Sequence, residues 1–178
     1  MAMNILEKIE SMGFKVTWKL IFLGLYGFEG FSASISRSEL LDYLKDCLGR
    51  NNNQTNKIIS LIFEMQNDEE FDLQLNTYAE NDQSIDIIQC RKWKAYILKT
   101  LLDIKYEDYF QGLLTLMEFW VSVGTTNDCP YNFLRDMSKL TCEFFTESKY
   151  QILLEKSSIW LKSEVEYILQ QENELDGF

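Results

Sequence analysis

Apolar residues along this chain recur with the period of an α-helix in one segment after another, and no segment keeps the alternation of a β-strand. The chain has one proline and eight glycines, which helices tolerate and which a protein built from many tight β-turns usually exceeds. Short polar stretches separate the periodic segments. The sequence therefore predicts an all-α protein, a compact multi-helix bundle or array of roughly eight helices.

The most apolar stretch is Val16–Phe31, in which Lys19 and Glu29 are the only charged residues. Its apolar residues fall on every side of a helix, which predicts a buried helix and not a surface helix. Thr17 is well placed to cap this helix. The glycines within it either permit close helix contacts or mark the point where the helix unwinds; they are Gly24, Gly27 and Gly30.

Two other features define helix starts and a second core. Ser36 and Glu39 have the spacing of a capping box, in which each side chain bonds a free backbone N–H. Tyr106–Val123 has the clearest helical period and is apolar nearly all round in its second half, which predicts a second central helix. Its inward stripe is predicted as Tyr106, Tyr109, Phe110, Leu113, Leu114, Met117 and Val121.

The C-terminal part adds a helix that starts near Pro130 and a last helix over about Glu147–Gln170. Residues 171–178 are expected to be a frayed tail. The length of 178 residues predicts one domain over 1–178. A chain of this size buries roughly 70% of the surface that its unfolded form exposes, so it needs no metal or disulfide to fold.

The four cysteines form no C-x-x-C pair. Cys47 and Cys90 fall within apolar helical patterns, where free cysteine acts as a small hydrophobe. This favours a reducing compartment, although two disulfides remain open. Neither a signal peptide nor an apolar run of the ~18–20 residues of a membrane span is recognised. We therefore expect a cytoplasmic protein.

The charge changes the picture more than the size does. Seventeen Lys+Arg against 28 Asp+Glu leave a net charge of −11. Such a surface repels phosphate backbones and anionic lipid, which disfavours nucleic acid and membranes as partners. It attracts a basic protein and speeds the association. The alternative explanation is that the acidic surface only keeps the protein soluble.

Histidine is absent, which removes the usual Ser-His-Asp and Cys-His forms of catalysis and most zinc sites. The sequence also lacks the glycine-rich loops that bind nucleotides and the EF-hand calcium loop. We therefore predict no cofactor, no metal and no enzymatic activity. A carboxylate-based hydrolase remains the enzymatic alternative, since two acids at helical spacing, such as Asp82 and Asp86, need no histidine.

Acidic residues concentrate between positions 68 and 86, with two aromatic residues interleaved. One interpretation is that these acids are solvated helix ends, where negative charge is stabilising by ~0.3–1 kcal/mol each. The other is a docking face for a basic protein, with aromatic anchors ringed by charge. The predicted partner-binding residues are Asp68, Glu69, Glu70, Phe71, Asp72, Tyr78, Glu80, Asp82 and Asp86.

Scattered positions carry a family resemblance. They are Trp18-x-Leu20 followed by Gly24, Ser38-Glu-Leu-Leu-Asp-Tyr43, Lys92-Trp93-Lys94, and Pro130-Tyr131-x-Phe133. The chain resembles a family of small all-helical bacterial proteins found beside polymorphic and contact-dependent growth-inhibition toxins. The resemblance implies an immunity protein that binds one cognate toxin domain and neutralises it, and it supplies no catalytic motif.

A toxin that is a nuclease has a basic active-site cleft, which an acidic protein can occupy in place of phosphate. The expected partner is therefore a basic toxin domain, most simply a nuclease. Three alternatives remain: an acidic adaptor or scaffold for another basic protein, a carboxylate hydrolase with two acids converging in a pocket, and a nucleic-acid mimic with carboxylates spaced like phosphates.

Overall fold

The computed structural model describes residues 3–50, 54–124 and 145–176. Within these ranges the chain forms eight α-helices and no strand, which confirms the all-α prediction. The helices are α1 (Ile5–Ser11), α2 (Trp18–Tyr26), α3 (Arg37–Leu48), α4 (Thr55–Glu64), α5 (Asp68–Glu80), α6 (Asp86–Asp103), α7 (Tyr109–Val123) and α8 (Glu147–Asp176). The helix predicted near Pro130 lies outside the described residues, as do Cys129 and Cys142.

The chain divides into two compact units, Met1–Lys92 and Trp93–Phe178, and the boundary falls within α6. The predicted central helices lie in different units, because α2 belongs to the first and α7 to the second. The single domain over 1–178 stays a prediction. Helix α8 continues to Asp176, so residues 171–176, which the sequence pattern assigned to a frayed tail, belong to the helix.

The first unit is built around α2, which packs against α5, while α3 and α4 pack against each other and α4 packs against α5. Leu20 is fully buried in α2, and only Tyr26 at its end is exposed, which confirms the prediction of a buried helix. Thr17 caps the helix by accepting a hydrogen bond from the Leu20 N–H at 3.2 Å. Ser36 and Glu39 form the predicted capping box at the start of α3.

Helix α2 ends earlier than Phe31, because Gly27 adopts a φ of 84° in the left-handed region that side chains other than glycine rarely enter. Phe28 and Phe31 then pair through both of their backbone groups across a tight turn. The Gly24 carbonyl accepts hydrogen bonds from the Ser34 N–H at 2.8 Å and the Ile35 N–H at 3.1 Å. The segment after α2 is therefore a closed loop attached to its own helix.

In the second unit α7 packs against α8. The Trp120 indole N–H donates to the Ser157 hydroxyl at 2.9 Å inside this contact. The predicted inward stripe of α7 is partly wrong: Leu113 and Met117 are buried, but three of its members are exposed, namely Tyr109, Phe110 and Val121. Helix α7 is apolar on nearly every side, so periodicity alone does not identify its buried face.

Candidate functional site

The first acids of the predicted docking face are engaged within the fold. Arg37 at the start of α3 forms ion pairs with Asp68 and with Asp72, the latter at 2.6 Å. The Tyr26 hydroxyl donates a hydrogen bond to the same Asp72 carboxylate. Burial and this hydrogen bond raise the pKa of Tyr26 to about 12, so the phenol remains a donor at neutral pH. Asp68 and Asp72 therefore link α5 to α2 and α3.

The two predicted aromatic anchors differ in exposure. Phe71 is completely buried, and the Arg37 guanidinium lies 4.4 Å from the centre of its ring. Tyr78 is half-buried, with its ring 5.1 Å from that of Trp18. The prediction that Phe71 contacts a partner is wrong, because Phe71 and Leu75 share the face of α5 that forms the core of the unit.

Asp82 is a structural acid. Its carboxylate accepts hydrogen bonds from the Lys19 N–H at 3.1 Å and the Ser84 N–H at 2.9 Å, and so caps the start of α2 from a distant part of the chain. Burial acts to raise the pKa of Asp82, but the hydrogen bonds from Ser84 and Lys19 outweigh it and the pKa is lowered. Asp86 is largely exposed and forms an ion pair with the Lys19 ammonium at 2.6 Å.

A groove of about 540 Å³ lies beside α2 and brings together two of the predicted acids, Glu80 and Asp86. Three elements of the first unit contribute to it besides α2: the loop after α2, the C-terminal half of α5 and the first turns of α6. We call it the α2–α5 groove. Its lining residues are Lys19, Phe22, Leu23, Gly27, Phe28, Glu29, Asn76, Ala79, Glu80, Asp86 and Cys90.

The groove is apolar inside and acidic at its rim. Phe22, Leu23 and Phe28 line it together with Ala79, and none of the four carries a charge. Its four charged residues are three carboxylates and the Lys19 ammonium, which leaves a net charge of −2 by that count. Glu29 and Glu80 are exposed to solvent. Because apolar side chains surrounded by charge are typical of protein-binding surfaces, this site fits a partner that is both apolar and basic.

The outward face of α5 extends the groove. Glu69, Leu73, Asn76 and Glu80 follow the spacing i, i+4, i+7 and i+11, which places them on one side of the helix over about 16 Å. The Leu73 side chain, which lies between Glu69 and Glu80 on this face, is 69% exposed. Such exposure is unusual for a large apolar residue. Asn76 donates a hydrogen bond to Glu80 at 2.7 Å. Glu69 and Glu80 are thus the two predicted acids on this outward face of α5.

Glu70 lies on another side of α5. It approaches Glu64 of α4, and the hydrogen bond that protonated Glu64 donates to the Glu70 carboxylate raises the pKa of Glu64. Further along the same helix pair, Gln74 donates to the Ser60 hydroxyl at 2.7 Å. These pairs place Glu70 at the contact between α4 and α5. Glu70 is exposed, but it does not line the α2–α5 groove.

A second cavity, of about 390 Å³, lies among α2, α3 and α4. Its polar groups already have partners within the fold. The Trp18 indole N–H donates to Gln54 at 2.8 Å, and the Tyr43 hydroxyl donates to Glu10 at 2.8 Å. Asp82, which also lines this cavity, holds the start of α2. The α2–α5 groove, with its exposed acids, is the stronger candidate for a binding site.

The residues that sequence reasoning missed are the apolar ones. Phe22, Leu23 and Phe28 belong to the stretch assigned wholly to the buried core, and Leu73 sits inside the acidic cluster. A signal for Leu73 was present, since it falls between the core positions Phe71 and Leu75 and must therefore point away from the core. No local signal indicates that Phe28 and Glu29 return to lie beside α5.

Metal-ligand clusters and membrane-spanning helices were both sought among the residues that the structure describes. Within residues 3–50, 54–124 and 145–176 no three or more Cys, Asp or Glu side chains are grouped so as to hold a metal ion. No helix there is both long and apolar enough to cross a bilayer. Cys47 and Cys90 are buried and form no disulfide.

Comparison with known proteins gives one match. The profile of a family described as "Uncharacterized protein conserved in bacteria (DUF2247)" matches residues 6–165. No curated protein and no solved structure matches the chain. The match covers every element of the α2–α5 groove, because the groove residues lie between positions 19 and 90.

Proposed function

This chain belongs to the DUF2247 family of bacterial proteins, and we propose that it acts there as a cytoplasmic immunity protein. In this role it binds one cognate toxin domain, a basic protein and most simply a nuclease, and neutralises it by covering the toxin's active-site cleft. It works as a binding protein and not as an enzyme. The observation that carries the proposal is the α2–α5 groove, which is apolar inside and acidic at its rim.

Two further observations support a basic partner. The net charge of −11 attracts a positively charged protein over several ångströms beyond contact and raises the association rate, an effect that salt weakens. Within the groove and on α5, Glu29, Glu69 and Glu80 are exposed around apolar surface. Burial of that surface supplies affinity, while the charges supply steering and orientation.

Neutralisation follows from occupancy. A nuclease binds the phosphates of its substrate through a basic cleft, and carboxylates placed there satisfy the same cationic groups. The acids that hold the fold together, Asp68, Asp72 and Asp82, are already paired within it. The mechanism depends on where exposed acids lie around the groove and not on the total number of acids.

A second candidate function is an acidic adaptor that holds another basic protein without inhibiting it. The same groove serves both functions, so the discriminating property is toxicity of the partner. A carboxylate hydrolase, which needs two acids converging in a pocket, has less support. Two of the groove acids, Glu29 and Glu80, are exposed at the rim, and the third, Asp86, is paired with Lys19.

The proposed function can be tested in the native bacterium. The tagged chain is used to capture partners, and each captured protein is then expressed alone and together with the chain. An immunity protein predicts a partner that arrests growth when expressed alone and that is harmless when the chain is co-expressed. A partner that binds tightly but is not toxic would exclude the immunity role and establish the adaptor.

A further inference from the structure

Resting on the proposed function, we propose that the α2–α5 groove receives a basic amphipathic α-helix of the partner. The apolar face of that helix enters between α2, the loop after α2 and α5. Its lysine or arginine side chains lie along the rim and meet Glu29 and Glu80. Leu73, on the outward face of α5, extends the apolar contact by about two helical turns beyond Glu80.

The groove selects apolar side chains because of what forms its walls. Phe22 and Leu23 are half-buried in the free protein, and Phe28 keeps 9% of its surface exposed. Each has apolar surface left to bury against a partner, at roughly 25 cal/mol per Å². A volume of about 540 Å³ lies within the ~300–1,000 Å³ range of concave binding sites.

The backbone of the site favours a helical partner over an extended one. One common way to bind an extended peptide is to add it as a strand to a free sheet edge. The groove is formed by three helices and a turn, and Phe28 and Phe31 use their backbone N–H and C=O groups to bond each other. Recognition must therefore run through side chains, and helix-in-groove binding does this with anchors spaced at i, i+3, i+4 and i+7.

The charge of the site favours a basic partner. Asp86 is held by Lys19 at 2.6 Å, and the Lys19 ammonium also donates to the Ser84 carbonyl at 2.7 Å. The one ammonium in the groove is thus committed within the fold. Glu29 and Glu80 are exposed on two different elements of the rim, so cations on both flanks of an entering helix find a carboxylate.

The probe for this proposal is a synthetic amphipathic helix of about 18 residues, long enough to be partly helical in water. It carries leucine at i, i+3, i+4 and i+7, lysine on both flanks and a fluorophore at one end. A peptide of the same composition with the leucines scrambled is the first control. Fluorescence anisotropy at low and at high salt measures binding to the full chain, and we expect saturable binding of the amphipathic peptide only.

Two double variants distinguish the effect of the groove's own charges on binding from the effect of the protein's net charge. Glu29→Lys with Glu80→Lys reverses the rim, whereas Asp42→Lys with Asp46→Lys makes the same change of net charge on the exposed surface of α3. We expect roughly tenfold weaker binding for the rim pair and less than about a twofold change for the α3 pair. Asn76→Trp, which fills the groove from a half-buried position, should weaken binding by tenfold or more at every salt concentration.

Several results would overturn the proposal. Equal binding of the scrambled peptide, equal losses for the two charge pairs, or full binding by Asn76→Trp would each show that the groove is not the docking site. Circular dichroism of every variant identifies any loss that comes from unfolding; if Asn76→Trp unfolds, Leu23→Ala replaces it. A toxin that the Asn76→Trp chain still neutralises would refute the groove but not the function. Peptide binding by a chain that protects against no toxin would refute the function alone.

Discussion

Phe71 and Leu73 lie two residues apart in α5 and are expected to respond to truncation in opposite ways. Phe71 is fully buried, whereas Leu73 is 69% exposed. Phe71→Ala removes a buried ring and leaves a cavity, which costs about 3–5 kcal/mol. It also removes the ring beneath the Arg37 guanidinium, 4.4 Å away, a contact worth a further ~0.5–1 kcal/mol at a partly exposed site.

The expected total for Phe71→Ala is therefore about 3.5–6 kcal/mol, a large part of the ~5–15 kcal/mol that stabilises a typical domain. Leu73→Ala should change the free energy of unfolding by no more than about 0.5 kcal/mol, since it removes an exposed side chain and improves helix propensity. Phe71→Leu keeps most of the apolar volume but loses the cation–π contact, so we expect an intermediate cost of about 1–2 kcal/mol.

Urea unfolding followed by circular dichroism gives the three free energies, with the slope of each transition checked against that of the unmodified chain. Hydrogen exchange measured on peptides that cover α5 shows whether the loss falls in the first unit. A cost below about 1 kcal/mol for Phe71→Ala would mean that this side chain is not core. An equal cost for Leu73→Ala would mean that α5 is rotated relative to the described structure, and the groove with it.

Three other substitutions test separate contacts. Asp82→Ala should cost about 1.5–3 kcal/mol, because it removes hydrogen bonds to a charged group. The pKa of Asp82 is lowered in the folded protein. The stabilisation from this carboxylate is therefore complete above the unfolded pKa of ~3.9 and is lost as pH falls through the lower folded pKa. Urea titrations between neutral pH and pH ~3 should thus show the variant and the unmodified chain converging, and a constant difference would contradict the capping role. Gly27→Ala should cost about 1–3 kcal/mol, since its Cβ would lie 2.6 Å from the Phe31 carbonyl oxygen at a φ of 84°, whereas thermal unfolding of the control Gly49→Ala should change little because Gly49 has a φ of −74°. Trp120→Phe leaves the buried Ser157 hydroxyl without its indole donor and should cost about 1–3 kcal/mol; the double variant with Ser157→Ala should recover part of that loss, and additive losses would argue against the bond.

Much of the fold was predictable because its signals are local. Thr17 and the Ser36–Glu39 pair marked two helix starts, and each needs only the next three residues of sequence. The end of α2 was only half predictable. Its glycines indicated either close packing or unwinding, and the structure shows both: Gly24 is buried within the helix, while Gly27 ends it with a positive φ.

The candidate site was less predictable, for two physical reasons. Phe71 and Tyr78 are predicted as surface anchors, although together with Leu75 they have the helical spacing that indicates the buried side of a helix. In addition, the roles of Asp72 and Asp82 depend on Arg37 and on the backbone of α2, tens of residues earlier in the chain. No local sequence pattern indicates such long-range pairing. Acids that are paired within the fold therefore cannot be distinguished in the sequence from acids that are accessible to a partner.

In the closed loop after α2, backbone hydrogen bonds hold the groove in shape, while side chains form the surface that the proposed partner would contact. Its anchors are backbone groups: the Gly24 carbonyl with the N–H groups of Ser34 and Ile35, and the mutual pair of Phe28 and Phe31. Substitution of an exposed side chain between these anchors, such as Ser32, therefore leaves these backbone bonds in place. Under the proposed function, the outer side chains of this loop can therefore change with the partner while the backbone bonds that shape the groove stay the same.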